Sequence, residues 1–150
     1  MTSLTEQRVT RWVIPNVLAR GRRPGYSGER GRSVSTTEVD AWLAELHDLG
    51  IKSIICLLSS DQLPLYDQLP DGLIAFYRAA GFTVEHIPAK DHQHPPLTTD
   101  HLQQVWSAYQ TLPKPALIHC SAGVDRTGLA IDHIQRQLER ASPAVASKPD

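Results

Sequence analysis

The sequence predicts an α/β domain built on a mainly parallel sheet of about four or five strands with helices on both faces. Three observations carry this. Ile51 to Leu58, IKSIICLL, is a nearly continuous apolar and β-branched run, as expected of a central strand covered on both sides. Stretches of helical period alternate with such runs along the chain, so successive strands need right-handed crossovers. Finally, Ala116-Leu117-Ile118 leads through a turn rich in small residues into an amphipathic stretch, Thr127 to Arg140.

In order, Arg11-Trp12-Val13-Ile14 and Val17-Leu18-Ala19-Arg20 flank Pro15-Asn16 and read as a hairpin. Ser35-Thr36-Thr37-Glu38 is a capping box, followed by Val39, Trp42, Leu43, Leu46 and Leu49 at helical spacing until Gly50. Ser59 to Gly72 reads as a loop, Leu73 to Ala80 as a helix and Phe82 to Ile87 as a strand. Thr98 or Thr99 caps a further helix with Leu102, Val105, Trp106 and Tyr109 on one face. Residues 1–140 are expected to form a single domain and 141–150, ASPAVASKPD, a disordered tail.

Composition narrows the function classes. With 150 residues, 41% of them apolar, there is material for one real core. A formal net charge of -1 argues against a protein-wide basic surface for nucleic acid. No run approaches the length of a membrane span, and the first ten residues lack a signal-peptide core. Two cysteines make no disulfide framework, and the cytoplasm is the expected compartment.

The chemistry is expected in His119-Cys120-Ser121-Ala122-Gly123-Val124-Asp125-Arg126-Thr127-Gly128. A strand-to-helix turn of small residues lets backbone N–H groups converge, and the helix N-terminus adds its dipole, so Ser121 to Arg126 would cradle a dianion. That field favours the thiolate, making Cys120 the candidate nucleophile. Arg126 offers a planar fork for two phosphoryl oxygens. Thr127 stands where its hydroxyl could donate to the Cys120 sulfur, and His119 where its ring could brace the loop.

At these residues the chain resembles the cysteine-dependent protein tyrosine phosphatase superfamily, and within it the small atypical dual-specificity phosphatases. The opening RWVIPNVLARGRRP is similar to theirs, which extends the likeness over most of the chain. The resemblance implies a phosphomonoester hydrolase working through a cysteinyl-phosphate, without cofactor or metal, on phosphorylated proteins. Alternatives are a 5′-phosphorylated RNA or nucleotide, a phosphoinositide, or a phosphate-binding pseudophosphatase. No lysine stands between Cys120 and Arg126, which disfavours the phosphoinositide. The resemblance also puts Asp91, 29 residues before Cys120, in the role of general acid, although Ala89-Lys90 stand where the family carries Trp-Pro. Asp125 is the second candidate, since cradles ending Asp-Arg-Thr resemble those of myotubularins. The further helices with which family members usually continue have no counterpart in the tail.

Three other features have competing readings. Seven of the eleven arginines lie between Arg8 and Arg32, with only Glu29 against them, either flanking the site mouth or forming a solvated loop. Cys56 reads as a core residue, with a protective disulfide to Cys120 the less favoured role. His86, Asp91, His92 and His94 are too loosely spaced for a metal site and read better as substrate-lining or exposed.

Overall fold

The computed structural model describes residues 10–27 and 31–141. Five strands form one sheet in the order β1-β2-β5-β3-β4: β1 (Arg11–Ile14), β2 (Leu18–Gly21), β3 (Ser53–Cys56), β4 (Thr83–His86) and β5 (Ala116–His119). Only β1 and β2 are antiparallel, joined through Asn16 at φ 62; the other pairs are parallel. The central strand, β5, pairs with β2 (Leu18 opposite Ala116) and with β3 (Cys56 opposite His119).

Among the described residues four helices cover the sheet: α1 (Thr36–Asp48), α2 (Gly72–Ala79), α3 (Thr99–Thr111) and α4 (Asp125–Ala141). Successive strand residues alternate between the faces. Ile54, Cys56 and Leu117 pack with Val39, Trp42, Leu43 and Leu46 of α1 and Leu73 and Tyr77 of α2. Ile55, Leu57 and Ile118 pack with Val105 and Ala108 of α3 and Ala130, Ile131 and Ile134 of α4. Both faces of the inner strands are therefore dry, which explains why β3 reads as a continuous apolar run rather than an alternating one.

The capping box of α1 forms, with Ser35 Oγ accepting from the Glu38 N–H and Glu38 Oε1 accepting from the Ser35 N–H. Arg32 adds two bonds to the Glu38 carboxylate, and together these hold Glu38 down at about 2. Thr98 caps α3, where His101 takes the place of the usual acid: its Nδ1 accepts from the Thr98 N–H and its Nε2 donates to Pro88 O at 3.1 Å.

Three boundaries differ from expectation. The stretch 59–72 contains a 3₁₀ turn, Leu63–Tyr66, with Pro64 in its first turn. Helix α4 begins at Asp125, not Thr127, so the end of the cradle is the helix's first turn. Ala141, expected in the tail, is its last residue, and 142–150 lie outside the described residues. Among the described residues no helix is long and apolar enough to cross a membrane.

Beneath the cradle, Tyr77, Trp42 and His119 meet in the core. Trp42 stacks on Tyr77 at 5.4 Å and stands edge-on to His119 at 5.2 Å. His119 is fully buried; Nδ1 donates to Cys120 O and Nε2 accepts from the Tyr77 hydroxyl, both at 2.9 Å. Burial pushes its pKa down to about 4 from 6.5. The unfolded chain therefore takes up this proton more readily, and stability is lost as pH falls from 6.5 towards 4. The separation corresponds to about 3 kcal/mol at most. Urea unfolding of wild type and His119→Asn at pH 7 and pH 4.5 checks this: the wild type should lose more stability on acidification than the variant.

Candidate active site

The cradle leaves the central strand at its carboxyl end, where open α/β sheets place their ligands. Cys120, 2% exposed, follows β5 directly, and the loop turns back through Gly123 at φ 78 into α4. A side chain at Gly123 is barred twice, because a Cβ there would also lie 2.5 Å from Gly21 O. Among the described residues, no turn or loop hydrogen bond is donated by the amides of Ser121 to Asp125.

Arg126 is 1% exposed, yet only one of its ends is tied down. Nη1 donates to Ala89 O at 2.6 Å, Gln62 Oε1 at 3.1 Å and Leu57 O at 3.3 Å. Nε and Nη2 are buried and make no hydrogen bond; Nη2 faces Asp91 Oδ2 at 3.3 Å. The wall of the site thus holds the guanidinium through Nη1 and leaves the Nε–Nη2 edge, the bidentate one, without a hydrogen bond in a residue that lines the cavity.

That cavity, about 160 Å³, is lined by Cys120, Ser121, Ala122, Asp125 and Arg126 from the cradle, by Asp91 and His92 from the loop after β4, and by Tyr26. Both candidate acids therefore face the space in front of the cysteine. Asp91 is partly buried and bonds the His92 N–H at 3.0 Å, whereas Asp125 is exposed at the first position of α4. A larger groove of about 390 Å³, which shares Asp91, His92, Tyr26 and Ser121, runs on past Lys90 and Ser59.

Thr127 is buried, but its Oγ1 makes no hydrogen bond, so the donation to the Cys120 sulfur is not formed here. Cys56 is a core residue; burial pushes its thiol up to about 12, so it stays protonated at neutral pH. His86 Nε2 donates to Leu58 O at 2.8 Å and helps hold the end of β3. Among the described residues, no three His, Cys, Asp or Glu side chains are grouped to hold a metal ion.

Sequence reasoning missed three supporting side chains. Arg23, 2% exposed, donates from Nε to Ser121 Oγ and from Nη1 to the Tyr66 hydroxyl, both at 3.2 Å, while Tyr66 donates to Pro24 O at 2.7 Å. A buried arginine and tyrosine so fasten the cradle to the 3₁₀ turn. Gln62, from the same loop, holds Arg126. Part of the arginine-rich stretch therefore flanks the site mouth, and Arg23 belongs to the wall itself.

Residues 28–136 match a family model, Tc-R-P, described as "Polymorphic toxin system, DSP-PTPase phosphatase". The chain belongs to this family. The matched region of this DSP-PTPase phosphatase domain spans α1 to most of α4 and holds Asp91, Cys120 and Arg126. No curated protein matches the chain. Solved structures share the fold. Kinase associated phosphatase, with its catalytic-site cysteine replaced by serine, superposes with a TM-score of 0.62 at 20% identity over 81% of this chain and 65% of its own. Tk-PTP in its active form gives 0.55 at 16% over 90% and 85%. The core catalytic domain of a PP-IP phosphatase from S. cerevisiae gives 0.51 at 21% over 83% and 68%.

Proposed function

We propose that the domain hydrolyses phosphomonoesters through a cysteinyl-phosphate. The observation that carries this reading is the Arg126 guanidinium, fixed through Nη1 and unbonded along Nε–Nη2, in one small cavity with Cys120 and with the unpartnered cradle amides. A phosphate dianion bridging that edge has its phosphorus held over the thiolate. Sulfur attacks in line, the S–P bond forms and the ester P–O bond breaks, and the developing charge is met by donors already in place. The leaving oxygen needs a proton. Asp91 supplies it: a dianion takes over the Arg126 edge that Asp91 now faces and leaves the carboxyl group at the cavity rim, beside the leaving group. In the second step Asp91 accepts a proton from water, which attacks phosphorus and releases the thiolate and inorganic phosphate. Thr127, buried with an unused hydroxyl seven residues after Cys120, would donate to that returning negative charge.

Phosphotyrosine and phosphoserine or phosphothreonine proteins are the substrates that the resemblance implies. A reducing compartment keeps such a thiol from oxidation, which favours the cytoplasm. Metal-independent hydrolysis of p-nitrophenyl phosphate, forming a phospho-enzyme trapped by rapid denaturing quench at alkaline pH, tests the mechanism; turnover with no trapped phosphate on Cys120 would exclude it.

Asp91→Asn is expected to slow alkyl phosphate or phosphotyrosine hydrolysis roughly 10²–10⁴-fold, much more than hydrolysis of an activated aryl phosphate, and to remove the basic limb of the pH–rate profile. Should the limb survive in Asp91→Asn and vanish in Asp125→Asn, Asp125 is the acid.

A further inference from the structure

Beside the cradle, and sharing no lining residue with the large groove, lies a second cleft of about 290 Å³. Arg11, Arg20 and Arg22 line it together with Gly21 and the cradle residues Ala122, Gly123 and Val124. No carboxylate lines it, and among the described residues none of the three arginines is ion-paired. Three positive charges are therefore gathered in a cleft whose described lining holds no carboxylate. Arg20 is the pivot. Its Nη2 donates to Gly123 O at 2.9 Å, so it braces the cradle, while its Nε is buried with no hydrogen-bond partner. Burial and then the Arg11 charge lower the pKa of Arg20, as expected where positive charge is concentrated. Arg22 lies over the Tyr26 ring at 5.4 Å, and Tyr26 lines the catalytic cavity. Ala122 lines both spaces, so the two are neighbours across one small side chain.

Cations crowded together repel one another, and an anion that bridges them relieves this while satisfying buried N–H groups. A cradle for one dianion beside a cleft for another matches a substrate with two phosphates. We propose that the Arg11–Arg20–Arg22 cleft is a second anion subsite, taking a further phosphate group of the substrate whose scissile phosphate sits on Cys120. This rests on the hydrolase reading above and names a substrate class for it: polyphosphorylated molecules. A second phosphorylated side chain of one polypeptide and a small bisphosphate share the required chemistry.

Matched pairs separate these sources: a phosphotyrosine peptide with and without a neighbouring phosphothreonine, and fructose 1,6-bisphosphate against fructose 6-phosphate. In the wild type at least one pair should favour the doubly phosphorylated member about tenfold or more in kcat/KM, mainly through KM. In Arg11→Gln/Arg22→Gln that preference should fall to within about twofold. A ratio near one for both pairs, or a preference that survives the double substitution, overturns the proposal; so does an equal gain when aspartate replaces the phosphothreonine.

Calorimetry with inorganic phosphate and tripolyphosphate distinguishes failure of the subsite from failure of the hydrolase reading. If the protein hydrolyses no phosphate ester yet binds tripolyphosphate more tightly than phosphate in an Arg11- and Arg22-dependent way, the subsite stands and the hydrolase reading falls. Tripolyphosphate binding no tighter than phosphate overturns the subsite whatever the activity.

Discussion

Cys120→Ser is expected to abolish phosphate-ester hydrolysis, lowering kcat by at least about 10³-fold, while the melting temperature stays within a few degrees of wild type. The reason is electronic. Loss of a nucleophile in sites that act as a unit removes nearly all of the chemical acceleration, leaving only what binding and electrostatics supply. A serine hydroxyl remains protonated in the same field, because an alkoxide is far harder to form than a thiolate. The replaced atom is small, and the surrounding bonds are made by the backbone of residue 120, whose carbonyl accepts from His119, and by neighbouring side chains. Steady-state assays on p-nitrophenyl phosphate with paired thermal melts check both halves. Retention of near-wild-type turnover would show that another group is the nucleophile; loss of the fold would make the comparison uninformative about chemistry, and Cys120→Ala would then serve in its place.

Arg126→Lys should be nearly as severe, for a reason visible in how the guanidinium is used. Nη1 answers to Leu57 O, Gln62 Oε1 and Ala89 O, while Nε and Nη2 make no hydrogen bond. An ammonium has one nitrogen, so it can face the wall or the phosphate but not both. Facing the wall, it gives up the bidentate contact. Removing one such electrostatic donor raises the barrier by about 2.7–4 kcal/mol, or 10²–10³ in kcat. Facing the phosphate, it takes the donor away from the buried Ala89 O, which costs about 1–3 kcal/mol of stability. Measuring kcat and unfolding free energy on the same variant separates these. A variant that lost neither would mean that the bidentate edge is not what binds phosphate.

The cradle, the central strand and the hairpin were legible because each is a local signal. Small residues between Cys120 and Arg126, a strand apolar on both faces, and Pro15-Asn16 between two extended runs can all be read without knowing what lies opposite. The capping box at Ser35 is likewise complete within four residues. The parts that were not legible are those assembled from distant segments. Gln62 and Tyr66 lie in a polar loop whose composition announces only a turn, and they become part of the site because the 3₁₀ turn brings them against Arg126 and Arg23. Arg23 was one of seven similar arginines, and only burial singles it out. The start of α4 at Asp125 was obscured because the first turn of the helix is made of cradle residues, which carry no apolar periodicity.

The three bonds from Arg126 Nη1 have a consequence for the order of assembly. Leu57 O lies just beyond the end of β3, Ala89 O lies in the segment leaving β4, and Arg126 itself comes from the helix after β5. Three chain segments remote in sequence must all have arrived before the guanidinium is aimed. Catalytic competence is then a property of the last folding event, and no species with an incomplete sheet should turn over substrate. In refolding from urea, recovery of aryl phosphate hydrolysis should trail the return of helical circular dichroism and coincide with the final tertiary phase; activity that returned with the helices would mean that the site closes on fewer segments than these.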